Sequence, residues 1–239
     1  MLKSKLRRWW IISGFIFILL LLWPVEYRLT RVGLIFFLLL TWFGAVLTWW
    51  EKKAACGLLV FAAGVPLIGF CLPGREVNPD ELSAGYARAL RSYDGVRYVW
   101  GGENRLGIDC SGLARKGLVR ALLTDGARTL NGRAMRDAAC LWWRDASARA
   151  LKEGYRDWTS ELFRAESINR ADFSKLRRGD MAVTEDGIHV LVFLGEGKWI
   201  EADPEVKRVI EVAVPTENPW FEVPVVFVRW KWMKPASAH

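Results

Sequence analysis

Three stretches without a charged side chain dominate the first 74 residues, at positions 9–25, 32–50 and 54–74. They are 17, 19 and 21 residues long. A helix needs about 20 apolar residues to cross the hydrocarbon layer of a bilayer, with roughly 17 as a lower limit. Trp9, Trp10, Trp23, Trp49 and Trp50 stand at the ends of the first two stretches, where amphipathic rings favour the membrane interface. Buried helices of a soluble protein are the alternative. Three such runs in succession, joined only by short charged links, argue against it. Residues 1–8 also resemble the basic start of a cleaved signal peptide. The exit Trp23-Pro24-Val25-Glu26 lacks a small-x-small cleavage pattern, so the segment is expected to be retained. The reading is three transmembrane helices within a membrane anchor at 1–74, with the lipid bilayer as partner of residues 9–74.

The charge distribution agrees. The formal net charge is +8. Residues 1–72 hold eight basic and two acidic side chains, a net of +6, and the remaining 26 basic and 24 acidic groups leave +2. A balance of +2 gives little reason to expect nucleic acid as a partner. Arg177-Arg178 and Arg115-Lys116 read as solvated surface charges. In the anchor, four basic residues precede the first stretch, Arg28 and Arg31 fill the first link, and Lys52 and Lys53 fill the second. Positive charge is retained on the cytoplasmic side. That places the N-terminus and the second link inside, and everything after about residue 74 outside.

Residues 75–239 form a second unit, large enough for its own core. Helices are expected over 80–93, from Cys110 to a stop at Asp125-Gly126, and over 132–151. From Asp180 onward short alternating runs predict strands at 181–184, 189–194, 199–202, 209–214 and 225–230, with Gly187, Gly195-Glu196-Gly197 and Asp203-Pro204 as turns. Helices first and strands afterwards indicate an α+β domain with a mostly antiparallel sheet.

Only two histidines exist. His239 is the last residue and is expected to be mobile. His189 starts an apolar strand. Cys110 sits where a glycine-rich passage enters a helix. There the unpaired backbone N–H groups and the positive end of the helix favour a thiolate. A neighbouring imidazole would complete its activation and later protonate a leaving amine. The Cys110 N–H would help hold a tetrahedral oxyanion. Glu201, twelve positions after His189 on the next strand of a hairpin, is placed to orient the ring, and Asp203 is a second candidate. Taken singly, a buried cysteine or histidine is a packing residue; the combination carries the chemistry. Cys140 reads as core. Cys56 and Cys71, 15 residues apart on one helix, lie roughly 22 Å from one another, too far for a disulfide. There is no Cys-x-x-Cys and one usable histidine, so neither a metal nor another cofactor is expected.

Five strings combine these residues in order: Tyr98-Val99-Trp100-Gly101-Gly102; Gly107-Ile108-Asp109-Cys110-Ser111-Gly112-Leu113; Leu176-Arg177-Arg178-Gly179-Asp180; His189-Val190-Leu191-Val192-Phe193-Leu194-Gly195; and Trp199-Ile200-Glu201-Ala202. As a set they resemble the NlpC/P60 family of cysteine peptidases, in its non-permuted form, over about 84–214. The resemblance implies a papain-like α+β fold. It also implies cleavage of bacterial cell-wall peptides, commonly between γ-D-glutamate and a diamino acid. By position, Cys110 resembles the nucleophile, His189 the base, Glu201 the third polar residue, and Tyr98 the tyrosine beside the nucleophile. Asp109 and Ser111 resemble residues that bind the free amine of a stem peptide; a structural cap is the other role open to Asp109.

Two departures stand out. The third position is often His, Asn or Gln in the family and is Glu201 here; a carboxylate orients imidazole well. The segment between Cys110 and His189 is also longer than in compact members, with extra material around 131–174. The resulting expectation is a peptidoglycan peptidase in the bacterial cytoplasmic membrane, working through a thioester, with its domain periplasmic or extracellular. A membrane-protein partner is possible. A lipid-directed acyltransferase or hydrolase, and an inactive binding module on a membrane scaffold, are the alternatives.

Overall fold

The three uncharged stretches and the alternating runs become, respectively, helices and a sheet in a computed structural model that describes residues 2–234; His239 lies outside the described residues. The first three helices are α1 (Leu2–Leu22), α2 (Arg28–Thr48) and α3 (Lys53–Cys71). Thr41 donates to Ser13 at 3.2 Å, and Trp42 donates its indole N–H to the Leu59 carbonyl at 3.1 Å. Gly44 faces Trp10 and Gly33 faces Leu20, so α1 and α2 run antiparallel.

Among the described residues two helices, α2 and α3, are long and apolar enough to cross a membrane, rather than the three expected. The difference lies in α1. It ends at Leu22, ahead of Pro24, and its first turns carry Lys3, Lys5, Arg7 and Arg8. Its uncharged part is therefore only 9–22, roughly 21 Å of helix, against a hydrocarbon layer of about 30 Å. Few residues of α2 and α3 are buried, unlike those of a core helix in a soluble protein.

Asn78 opens α4 (Pro79–Arg91) by accepting from the backbone of Asp80 and Glu81, with Pro79 at the first helical position. A short hairpin, β1 (Glu103–Asn104) with β2 (Gly107–Ile108), leads into α5 (Cys110–Thr129). The expected stop at Asp125-Gly126 does not occur. Gly126 instead lets α5 approach the next helix: a Cβ there would lie 2.8 Å from Met135. The helix ends at Leu130, in the left-handed region at φ 52.

The helix expected over 132–151 is two helices, α6 (Gly132–Trp143) and α7 (Ala148–Lys152). Arg144 is extended, and the Ser147 hydroxyl accepts from Ala150 N to start α7. β3 (Thr159–Ala165) follows inside the presumed extra material, where no strand was expected. The other strands are β4 (Met181–Thr184), β5 (Val190–Gly195), β6 (Lys198–Asp203), β7 (Arg208–Ala213) and β8 (Val225–Trp230). They form one antiparallel sheet in the order β3-β8-β4-β5-β6-β7.

Alternation along β5 explains the layering. Val190, Val192 and Leu194 face α4 and α5, while Leu191 and Phe193 enter a second cluster with Trp199, Phe221 and Phe227 on the opposite face. Both faces are covered, and α5 is held against β5 and β6, the two strands that flank the candidate site.

The helical hairpin is docked on this domain. Val25 forms an antiparallel bridge with Gly102, Glu26 N donates to Gly101 O at 3.2 Å, and Glu103 N donates to Pro24 O at 2.9 Å. Beneath that bridge lies a buried ionic cluster. Arg31 of α2 is 1% exposed and reaches Glu103 and Asp145, each at 2.7 Å. Arg115 binds the same Glu103 oxygen, and Lys116 holds Glu26 at 3.0 Å. Arg115 and Lys116 are thus structural partners rather than solvated charges: they project from α5 toward the docked link. Cys140 is exposed rather than in the core, on the outer face of α6.

Candidate active site

The glycines at 101, 102 and 112 set the position of the cysteine. Gly101 has φ +70, and its N–H donates to Asp109 Oδ2 at 2.8 Å. A Cβ on Gly112 would stand 2.3 Å from the Gly102 carbonyl, so only glycine lets the start of α5 pack on this loop. Asp109 caps the helix. Its Oδ1 accepts from Gly112 N at 2.6 Å and from the Ser111 hydroxyl at 3.0 Å. Asp109 and Ser111 are therefore engaged with each other and with the backbone. Burial pushes the Asp109 carboxyl above the usual carboxylate range, against the opposing effect of these donors. Cys110 occupies the first helical position, where its N–H has no acceptor within the helix.

His189 comes to Cys110 from the start of β5. Its backbone N–H donates to Thr184 Oγ1 at 3.0 Å, and the same hydroxyl accepts from Ile188 N at 3.2 Å, which fixes the loop before the strand. The ring is 1% exposed. Nε2 lies 2.6 Å from Glu201 Oε2, which leaves the other ring nitrogen for Cys110, whose thiol raises the pKa of the ring. The thiol also approaches Ile188 O at 3.8 Å.

Burial is the largest single influence on His189 and pushes its pKa down. The hydrogen bonds and charges of Cys110 and Glu201 outweigh it and raise the value to about 10. The imidazole is thus favoured in its protonated form. Burial also pushes Glu201 upward, opposed by its hydrogen bonds, so the His189–Glu201 pair shares a tightly held proton. Tyr98 is half-buried beside this line. Burial, with the nearby charges of Cys110 and Asp109, raises its hydroxyl well above the ordinary value and keeps it a neutral donor.

A sequence profile of the NlpC/P60 family matches residues 95–229, more than half of the chain. The chain belongs to the NlpC/P60 family. Among solved structures, this NlpC/P60 protein is similar to NlpC1 from Trichomonas vaginalis, at 16% identity and a TM-score of 0.42, covering 65% of this chain and 46% of that one. It therefore spans less than half the length of NlpC1. It is also similar to the NlpC/p60 domain of the peptidoglycan hydrolase SagA, at 23% identity and a TM-score of 0.38, covering 64% of this chain and 98% of that one. RipB, a peptidoglycan hydrolase from Mycobacterium tuberculosis, is similar at 20% identity and a TM-score of 0.39, covering 62% of this chain and 65% of that one. No curated protein matches the chain at a significant level.

Two features of this NlpC/P60 site escaped the sequence reading, and a third residue stands in a different role from the one considered. Asn218 Nδ2 donates to Glu201 Oε1 at 2.9 Å and to Asp203 Oδ2 at 3.1 Å. Trp220 stacks on the His189 ring with centroids 4.3 Å apart. Both belong to the 3-10 turn Pro219–Phe221 and its cap; the Asn218-Pro219 pair was the one available signal, and it indicates a turn, not a partner. Third, Asp203, the alternative orienting residue, caps its own turn through Glu205 N and Val206 N and stands next to Glu201 rather than to the ring. Among the described residues no group of three or more His, Cys, Asp or Glu is arranged to hold a metal ion.

Proposed function

We propose that this protein is a membrane-anchored cysteine peptidase that cleaves peptidoglycan stem or crosslink peptides through a thioester. The observation that carries the reading is the His189–Glu201 pair, with the Cys110 thiol against Ile188 O, one residue before His189. The names of SagA and RipB as peptidoglycan hydrolases support the substrate class. Residues 1–74 act as the anchor and 75–239 as the hydrolase domain. The hydrolase domain lies on the periplasmic or extracellular side.

In this reading the Cys110 thiolate attacks the peptide carbonyl carbon. The Cys110 N–H and the Tyr98 hydroxyl stabilise the oxyanion. The C–N bond then breaks, the leaving amine takes the His189 proton, and the acyl group stays on sulfur. A water molecule gives one proton to His189 and attacks the thioester, releasing the carboxylic acid, which loses its proton to solvent, and restoring the thiolate. Glu201 holds the ring through Nε2 and stabilises the imidazolium. Asp109 and Ser111 shape the loop; a substrate amine would have to share their existing hydrogen bonds.

Full-length protein incubated with muropeptides is expected to release cleaved fragments, and Cys110→Ala is expected to abolish release. No turnover of any wall-derived peptide by the intact protein would falsify the peptidase reading. A covalent thioester formed only with lipid probes would transfer it to the acyltransferase alternative.

A further inference from the structure

The link between α1 and α2 is part of the wall that positions the nucleophile. Val25 bridges Gly102, and the Gly102 carbonyl accepts from Asp109 N at 3.0 Å, one residue before Cys110. A bridged pair stands about 5 Å apart, and one Cα step is about 3.8 Å. The Cys110 backbone is then within roughly 15 Å of Val25. Val25 stands between the end of α1 and the start of α2, at the boundary of a helix long and apolar enough to span a bilayer. The polar layer of a bilayer is only about 5–8 Å thick on each side. The nucleophile is therefore held at the level of the lipid headgroups or one such layer beyond them.

The domain is not free to swing away. A second attachment lies at the end of α3: Gly132 N donates to Pro73 O at 3.1 Å, Arg136 binds the Phe70 and Leu72 carbonyls, and the Arg75 backbone exchanges two hydrogen bonds with Asn131. Both attachments use residues on the same end of the hairpin, and the Arg31 cluster buries the first. Exposed Trp23, Tyr27, Trp100 and Leu106 surround the Gly101 loop, the kind of side chain that settles at a membrane interface.

We propose, resting on the peptidase reading above, that the substrate is a stem peptide carried on a membrane-embedded lipid, rather than peptide of the polymeric wall at a distance from the bilayer. The fixed height of Cys110 selects bonds presented at the headgroup level, and the docked hairpin acts as a ruler.

The test uses full-length protein in vesicles of phosphatidylethanolamine and phosphatidylglycerol. The probes are one L-alanyl-γ-D-glutamyl-diaminopimelate peptide in three forms: free, joined directly to a palmitoyl chain, and joined to that chain through ten prolines. Ten prolines hold the peptide about 31 Å further out without changing how strongly the palmitoyl chain enters the bilayer. Cleavage of the directly joined form at least tenfold faster than of the proline-spaced form is the expected result. Equal rates for these two overturn the inference and leave the peptidase reading standing. No cleavage of any form overturns both. Failure of the protein to sediment with the vesicles removes the anchor and, with it, the inference.

Discussion

Two carboxylates, Glu201 and Asp203, lie side by side behind His189, and Asn218 donates to both. That bridge lets Glu201 stay anionic beside a like charge in a buried place. Because Cys110 and Glu201 together raise His189 to about 10 from 6.5, the protonated ring persists into the alkaline range. A raised histidine contributes stability that is fully present below about pH 6.5 and is lost as pH rises through about 10. In Glu201→Gln one of the two raising groups is gone. The alkaline fall of kcat/KM is expected at lower pH than in the parent, with kcat down by as much as about 10⁴-fold. An alkaline limb that does not move would show that Glu201 does not set the ring's charge. Asn218→Ala is expected to lower kcat about tenfold with KM unchanged and to shift the acid limb upward, since Glu201 loses a donor. Asn218→Asp keeps the turn cap but adds a third carboxylate. It should shift the acid limb further than Ala does, an ordering that a purely structural role for Asn218 would not produce. Cys110 and His189 were legible because local strings mark them: a glycine loop before a helix, and a histidine heading an apolar strand. Asn218 and Trp220 come from a turn distant in sequence, and only the folded sheet brings them onto the ring.

At the scale of elements, short apolar runs bounded by turn residues made the strands legible, and β8 spans the expected residues 225–230. β3 was not legible because it is an edge strand with a register shift between Glu161 and Phe163. Its one strong anchor is Phe163 stacked on Phe227 at 4.6 Å; Glu161 and Arg164 pair on its solvent side, the sort of charge that blunts an edge. The break between α6 and α7 has a tertiary cause. It turns Asp145 toward Arg31 across the docked hairpin. That cluster makes a prediction about stability. Glu103 is the shared acceptor of Arg31 and Arg115. Glu103→Gln should therefore cost more than Arg31→Met, which leaves Arg115 to neutralise Glu103. Removing one member of a buried pair costs about 3–5 kcal/mol, with Arg31→Met expected at the lower end. Thermal denaturation of the full chain in detergent measures both. A lower midpoint for Arg31→Met than for Glu103→Gln would contradict the shared-acceptor account. Reduced peptidase activity is expected alongside, because residues 101–104 lose their support.

For the whole molecule, the surplus of positive charge near the N-terminus was read as a statement of membrane orientation, and the structure changes which charges carry it. Arg31 is neutralised by Glu103 and Asp145, so it no longer counts as a free charge in the first link. The contrast with Lys52 and Lys53 in the second link becomes sharper. The docking supplies an independent constraint. Residues 23–27 touch the domain directly, so, in the proposed membrane-anchored arrangement, the α1–α2 link and residues 75–234 would share one side of the bilayer. Proposed crossings by α2 and α3 would satisfy this whether or not α1 also crosses; α1 would decide only where the N-terminus lies. Native Cys140 is exposed on α6, and a cysteine placed at Lys52 would report on the opposite link. In intact cells a membrane-impermeant maleimide is expected to label Cys140. In a background with Cys56, Cys71 and Cys140 all replaced by serine, Lys52→Cys is expected to label only after permeabilisation. Labelling of Lys52→Cys in intact cells together with protection of Cys140 would reverse the orientation while preserving the docking. Labelling of both sites in intact cells would mean that α2 and α3 do not span the bilayer, and that the apolar hairpin is covered by something other than a membrane.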